Sequence, residues 1–334
     1  MTPAFRVVAN RADITATILD RFISLRLTDE AGFTSDMVEI TLADRPTSPI
    51  QLPETGAELE VFLGYDGLVQ RMGLFVVDEV ELTGWPSAMT IRGKAAPYDT
   101  SKGGKTDLQT QKSRSWPKGT KLGDLVAKIA KEHGMEPAVS QSLKTVSLPH
   151  LDQSEESDIS FLVRVGKRYD AIVKPAGGKL VVAKAGESKA ASGESMPAVA
   201  VHSGQTSRYS MTMARRESPG TVIAYHHNKR TAKRVPVQVG SGEPVRRLRH
   251  WYQDEAAAQA AAQAELDRRT RGEQTLSLTM PGDPQLSAES RLVASGFREG
   301  VNGEWLVVRV AHTLDKSVGY ACDVECEKPG ADAE

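Results

Sequence analysis

Gly73-Leu-Phe-Val-Val-Asp-Glu-Val-Glu-Leu-Thr-Gly-Trp-Pro-Ser-Ala-Met-Thr-Ile-Arg92 and Gly303-Glu-Trp-Leu-Val-Val-Arg-Val-Ala-His-Thr-Leu-Asp-Lys-Ser-Val-Gly-Tyr-Ala-Cys-Asp-Val-Glu325 share one plan. Each is a glycine, a long alternating strand, a polar turn containing glycine, and a shorter alternating strand. Upstream, Glu58 to Gly64 with Gly67 resembles Ser290 to Gly296 with Gly300. Two unrelated β-meanders can share such a rhythm, but the repeated order favours a duplicated unit.

The flanks extend the pattern. Residues 14–94 read as short strands, Ile14 to Leu19, Phe22 to Leu27, Met37 to Leu42, Leu59 to Leu63, Leu74 to Leu82 and Met89 to Ile91, divided by the turn at 29–32 and by Pro46, Pro49 and Pro53. This is the signature of a closed or sandwiched antiparallel sheet with one wet face. Residues 101–115 contain almost no apolar side chain and read as a linker. After it the period becomes helical. Thr120 is placed to cap a helix whose stripe is Leu122, Leu125, Val126 and Ile129, and Gly134 ends it. A second helix is expected to start at Ser157-Asp158, followed by a hairpin of Ala171 to Val173 and Lys179 to Val182. Residues 184–195 read as a further exposed connection. From 206 strands return, interrupted by an alanine-rich helix over 254–271. The predicted fold is mainly β with an α+β insertion. Two similar antiparallel β-barrels, 1–100 and 206–328, flank a linker and small mixed module at 101–205, with a tail at 329–334.

Composition narrows the function. Forty-two Lys and Arg against 43 Asp and Glu give 334 residues a net charge of −1, so nothing draws the whole molecule to nucleic acid or an anionic membrane. No apolar run is long enough to span a bilayer, and the first thirty residues lack a signal-peptide core. Cys322 and Cys326 on one strand face would sit about 13 Å apart, too far to bridge, and are expected as reduced structural thiols. Two barrels per chain would let a closed trimer present six similar units, matching a three-fold object to a six-fold one.

On these residues the chain resembles the late control gene D family of baseplate hub proteins from contractile phage tails and phage-tail-like bacteriocins. The resemblance rests on Asp44-Arg45-Pro46, Gly56-Ala57-Glu58-Leu59, Trp116-Pro117-Lys118-Gly119-Thr120 leading into Leu125-Val126-Ala127-Lys128-Ile129-Ala130, Glu155-Glu156-Ser157-Asp158-Ile159-Ser160-Phe161-Leu162, Gly303 to Val308, and His312-Thr313-Leu314. It implies a homotrimeric structural hub in a tail baseplate, made in the host cytoplasm. The expected partners are a trimeric membrane-piercing spike, tail tube or tube-initiator proteins, and possible wedge and tape measure proteins, with DNA only as passing cargo. It also implies kinship with the hub part of type VI secretion spike proteins.

Each motif that could carry chemistry also has a structural role open to it. The stretch 205–250 carries ten Lys and Arg against Glu217 and Glu243, and Arg215, Arg216, Lys229, Arg230, Lys233 and Arg234 are candidates for a basic partner or lumen face. Solvated strand faces explain the same charges equally well, and few aromatics flank them. Tyr225-His226-His227 reads as a polar strand end, because neighbouring strand residues point to opposite faces. His133 reads as a helix C-terminal cap. Asp152, Glu155, Glu156 and Asp158 favour a helix start over the split carboxylate pair a glycosidase needs. No nucleophile elbow, phosphate loop or His-Glu-x-x-His is present. Trp116 and Tyr169 alone are a thin basis for sugar binding by the middle module. The shallow face of Ala257, Ala261 and Ala264 is the candidate subunit contact. The expectation is therefore no enzyme, no cofactor and no metal. The alternatives are a peptidoglycan-degrading or peptidoglycan-binding tail-tip protein and a nucleic-acid-binding regulator.

Overall fold

The structure, a computed structural model, describes residues 1–32, 35–96, 107–176, 178–187, 196, 198–214, 220–228 and 231–329. The first half comprises β1 (Pro3–Ala9), β2 (Ala12–Asp13), α1 (Thr15–Ile18), β3 (Phe22–Glu30), β4 (Met37–Ala43), β5 (Glu58–Tyr65), β6 (Leu68–Thr83) and β7 (Ala88–Ala95). The middle comprises β8 (Gln111–Trp116), α2 (Leu122–Glu132), β9 (Glu136–Val139), α3 (Gln141–Lys144), β10 (Leu151–Ser157), α4 (Asp158–Gly166), β11 (Ala171–Ala176) and β12 (Lys179–Lys184). The last part comprises β13 (Ala198–His202), β14 (Arg208–Met213), β15 (Thr221–Asn228), β16 (Lys233–Gly240), β17 (Val245–Tyr252), α5 (Glu255–Arg271), β18 (Gln274–Pro281), β19 (Arg291–Ser295), β20 (Gly303–Asp315) and β21 (Gly319–Glu327).

The two ends repeat in three dimensions. The first half runs β3-β4-β7-β6-β5-β1 across the sheet, and the second runs β14-β18-β21-β20-β19-β13. Numbered by chain order within each half, and leaving aside the short β2 and the inserted β15–β17, both read 2-3-6-5-4-1. The registers agree as well. β6 is bulged between Val77 and Glu79 against β7, and β20 between Val307 and Arg309 against β21. Phe75 and Trp305 stand at the same place before those bulges and are both buried. One strand departs from the repeat: β1 lies antiparallel to β5, whereas β13 lies parallel to β19.

Two similar antiparallel β-barrels were expected over 1–100 and 206–328, and in the structure their strands are hydrogen-bonded together. A single thirteen-stranded sheet passes through both halves, because β20 pairs with β19 through Gly303–Leu306 and then with β3 from Arg309 to Asp315. One apolar core, running from Val7 to Cys326, serves both halves. Both cysteines lie in this core as free thiols, as their spacing requires.

The middle module has its own core. Leu122, Leu125, Val126 and Ile129 of α2 pack with Phe161, Leu162 and Val165 of α4 and with the β11–β12 hairpin. Thr120 does not cap α2. Its hydroxyl bonds the Pro117 carbonyl and the helix begins one residue after the expected position, with Lys121 as N-cap. Gly134 ends that helix at φ +68°, a left-handed turn that glycine adopts at little steric cost. Gln111–Ser115, expected as linker, is strand β8 paired with β10; 101–106 lie outside the described residues. Residues 14–19, expected as a strand, form the short helix α1.

A third unit emerges inside the second half. β15, β16 and β17 form a separate three-stranded sheet that packs on α5 through Val222, Ala224, Ala258 and Ala262. These three strands do not extend the large sheet, so the span 206–328 contains a small sheet of its own. α5 matches the expected helix, with Asp254 accepting from the Ala257 N–H as its N-cap.

Candidate functional site

Each charged cluster that invited a catalytic or metal reading has a structural assignment. Ser157 caps α4, accepting from the Ser160 N–H, and Asp158 is the first residue of that helix. Its fully buried carboxylate accepts from Lys112 Nζ at 2.7 Å, Gln153 Nε2 at 2.8 Å and the Arg114 guanidinium, and His133 Nε2 lies 2.8 Å from it. Burial raises its pKa, but hydrogen bonds from Lys112, Gln153 and His133 and the Arg114 charge outweigh burial and hold it down at about 2. A glycosidase general acid needs the opposite shift. Glu156 is engaged by Arg164 at 2.6 Å, and Asp152 accepts from the Ser115 hydroxyl.

Glu132, His133 and Asp158 offer three ligand atoms within 4.8 Å of one another. Lys112 and Arg114 already approach both Asp158 and Glu132, so the positive charge a cation would supply is supplied by side chains. His133 caps α2 as expected, but its main contact is with Asp158, 25 residues away. The sequence carries no signal for that meeting. Trp116 is buried and stacks on Phe161 with ring centroids 6.0 Å apart, so it presents no surface to a sugar. His226 and His227 alternate across β15, and His227 stacks on Trp251.

The alanine face is already covered. Ala257, Ala261 and Ala264 are buried within the chain, because α5 lies over β15 and β16 and against the turn at 167–169. In one chain these three side chains therefore face its own strands and turn. Of the basic candidates, Arg215, Arg216, Lys229 and Arg230 lie outside the described residues. Lys233 and Arg234 are exposed on β16, and the Arg234 guanidinium lies 3.2 Å from the centre of the Tyr225 ring. The unit that carries them is the small three-stranded sheet, apart from the sheet that joins the halves.

The feature missed from sequence is a pair of unfilled edges. Within the chain, β20 covers the outer edge of β3, pairing His312 with Leu27 and Val310 with Asp29. There Leu25, Leu27, Val310 and His312 are all buried. By the repeat, β6 corresponds to β20 and β14 to β3. Yet among the described residues Glu79–Thr83 has a ladder only to β7, and β14 only to β18. The consequence is exposed apolar surface on what is otherwise the inward face. Leu82 is 56% exposed and Tyr209 and Met213 are 44% and 58% exposed, with Trp85 open just beyond β6. The signal was present as the alternating Tyr209, Met211 and Met213 and the apolar Leu82, but only the register shows that their neighbour strand is missing.

Over 98% of its length the chain superposes on the 43 kDa tail protein of prophage MuSo2 from Shewanella oneidensis, with TM-score 0.70, 15% identity and 99% of that chain covered. It likewise superposes on the tail protein from Neisseria meningitidis MC58, with TM-score 0.71, 13% identity and 98% and 97% of the two chains covered. The family model described as phage tail baseplate hub (GPD) matches residues 55–318, and the chain belongs to that family. The whole chain aligns with 95% of the probable baseplate hub protein of Escherichia phage 186 at 32% identity, and with 95% of that of Escherichia phage P2 at 30%.

Proposed function

We propose that three copies of this baseplate hub close into a ring of six similar half-units, one side of which meets a six-fold tail tube and the other a trimeric spike. The observation that carries the reading is the pair of edges left open by the repeat. The strand Glu79–Thr83 of one protomer supplies to β14 of the next what β20 supplies to β3 within a chain. Transposing that register sets Leu82 opposite the neighbour's Met211 and Val80 opposite its Met213. Inward apolar faces then become continuous around the ring. Burying a large apolar side chain contributes about 1.5–3 kcal/mol before the cost of association, and each junction buries several. Closure also removes exposed sheet edges that would otherwise invite aggregation.

The role is mechanical: a rigid adaptor that converts two halves per chain into a six-fold rim. No bond-making step is assigned to it. A double variant Leu82→Cys/Met211→Cys tests the register, since opposite residues on antiparallel strands bring Cβ atoms to disulfide range. Mild oxidation should give covalent trimers, with light scattering of the unmodified chain reporting a trimer. Monomeric scattering at high concentration, together with the absence of cross-links, would overturn the ring.

A further inference from the structure

A cleft of about 720 Å³ lies between α4 with the following turn, β17 and α5. Unlike the open sheet edges, it has a lining that mixes apolar and basic side chains. Ile159, Val163, Leu248 and Ala261 supply apolar surface. Around them stand Arg164, Lys167, Arg168 and Arg268, with Glu265 as the one acidic lining residue.

That acid is heavily shared. Glu265 is paired with Arg246 at 2.8 Å, with Arg269 at 2.7 Å and with Arg268. Arg164 is paired with Glu156. Arg168 makes no ion pair among the described residues, although it is half-buried. Burial and the Arg164 charge depress its pKa below that of an ordinary arginine. A partly buried cation that makes no direct ion pair gains from an incoming anion.

We propose that this cleft binds an acidic protein segment bearing an apolar anchor side chain, with a carboxylate seated on Arg168 and the anchor between α4 and β17. The apolar lining selects against a bare anion, which would leave that surface wet. Trp251 at the rim stays 57% exposed beside the His227 ring at 6.4 Å and the Arg234 guanidinium at 5.4 Å, so nucleobase stacking is the competing outcome that the oligonucleotide below tests. The site lies within one chain, so the measurement below reads it whether or not the chain assembles into a ring.

The test uses the full chain and fluorescein-labelled peptides followed by anisotropy. The probe is the octapeptide Glu-Asp-Leu-Glu-Phe-Asp-Glu-Leu, with one control in which Gln and Asn replace its acids and another in which Ser replaces its Leu and Phe. A twelve-nucleotide oligo-dT is the third probe. The acidic apolar peptide should bind most tightly, weaken with salt, and lose at least tenfold in Arg168→Glu. Arg168→Gln, which keeps size and hydrogen bonding, should lose about threefold while keeping the wild-type melting temperature, and Lys233→Glu outside the cleft should bind as wild type. Equal binding by wild type and Arg168→Gln, equal loss in Lys233→Glu, indifference to the apolar residues, or tighter binding of oligo-dT would each overturn the assignment.

Discussion

Arg271 and Asp170, 101 residues apart, meet in a two-pronged ion pair in which Nη1 and Nη2 donate to the two carboxylate oxygens at 2.6 and 2.9 Å. Both are buried, and the pair ties the end of α5 to the turn after α4. It therefore fixes one wall of the cleft relative to the other. Glu289 and Glu327 close the same region, and Lys174 ties β11 to Asp29 near the end of β3 and to Asp36 just before β4.

Asp170→Asn should expose the cost of that arrangement. Asparagine tolerates the left-handed backbone at this position, where φ is +51°, so the change removes charge with little backbone effect. A buried guanidinium without its counter-ion costs about 3–5 kcal/mol. Thermal melts should show a clear loss, and adding Arg271→Met should restore much of it. A double variant no better than the single would show that the charge was not the cause.

Glu289 gives the molecule an alkaline sensitivity. Burial is the largest influence on its carboxyl, aided by Asp170 and Glu327 and opposed by a backbone hydrogen bond from Gly186 and by Arg271; the result is a rise to about 7. A carboxyl whose folded pKa exceeds its unfolded value holds its proton better when folded. Its contribution is favourable below the unfolded value and is lost as pH rises through about 7. Burial similarly pushes Asp36 up to about 6, with Asp29 adding to the rise and Lys174 opposing it. Glu289→Gln should melt higher than the parent at pH 8 and nearly equally at pH 5, and the reverse ranking would contradict this account.

Asp158 has the opposite sign. Its folded pKa of about 2 lies below the unfolded value, so its contribution is present above roughly pH 4 and fades as pH falls toward 2. Asp158→Asn leaves Lys112 and Arg114 with Glu132 alone and puts His133 beside a neutral amide. A loss of about 3 kcal/mol or more in the middle module is expected, read by hydrogen exchange across α2 and α4. Protection unchanged from the parent would mean that the cluster is held by other contacts.

The open edges predict assembly defects without folding defects. Leu82→Asp and Met213→Asp alter side chains that are mostly exposed in one chain, so each should change its stability by no more than about 0.5 kcal/mol. In the ring each places a carboxylate between apolar neighbours. Association should weaken at least tenfold by mass photometry, with melting of the separated chain unchanged.

Local order was legible from local spacing. Alternation marked β3, β4, β5, β6 and β7; the 3.6-residue period marked α2; Ser157-Asp158 marked the start of α4; and the alanine run marked α5. The repeated segment at 73–92 and 303–325 gave the correspondence between β6 and β20. The same kind of reading mistook α1 for a strand, where a four-residue helix carries too little pattern to declare itself, and β8 for linker, because both its faces are polar and its partner β10 lies 35 residues on. It also carried no sign that β15–β17 form a sheet of their own.

Thus the chain alone set which residues turn inward, where periods change, and that one unit occurs twice, since these depend on spacings of a few residues. Only the tertiary structure decided which strand lies beside which, that β20 crosses from one half to the other while β6 and β14 stay open, and that Asp158 gathers Lys112, Arg114 and His133. Alternation fixes the face a side chain occupies but not the strand next to it. Pairings of that kind, and charges that meet across dozens of residues, arise only when the whole chain packs.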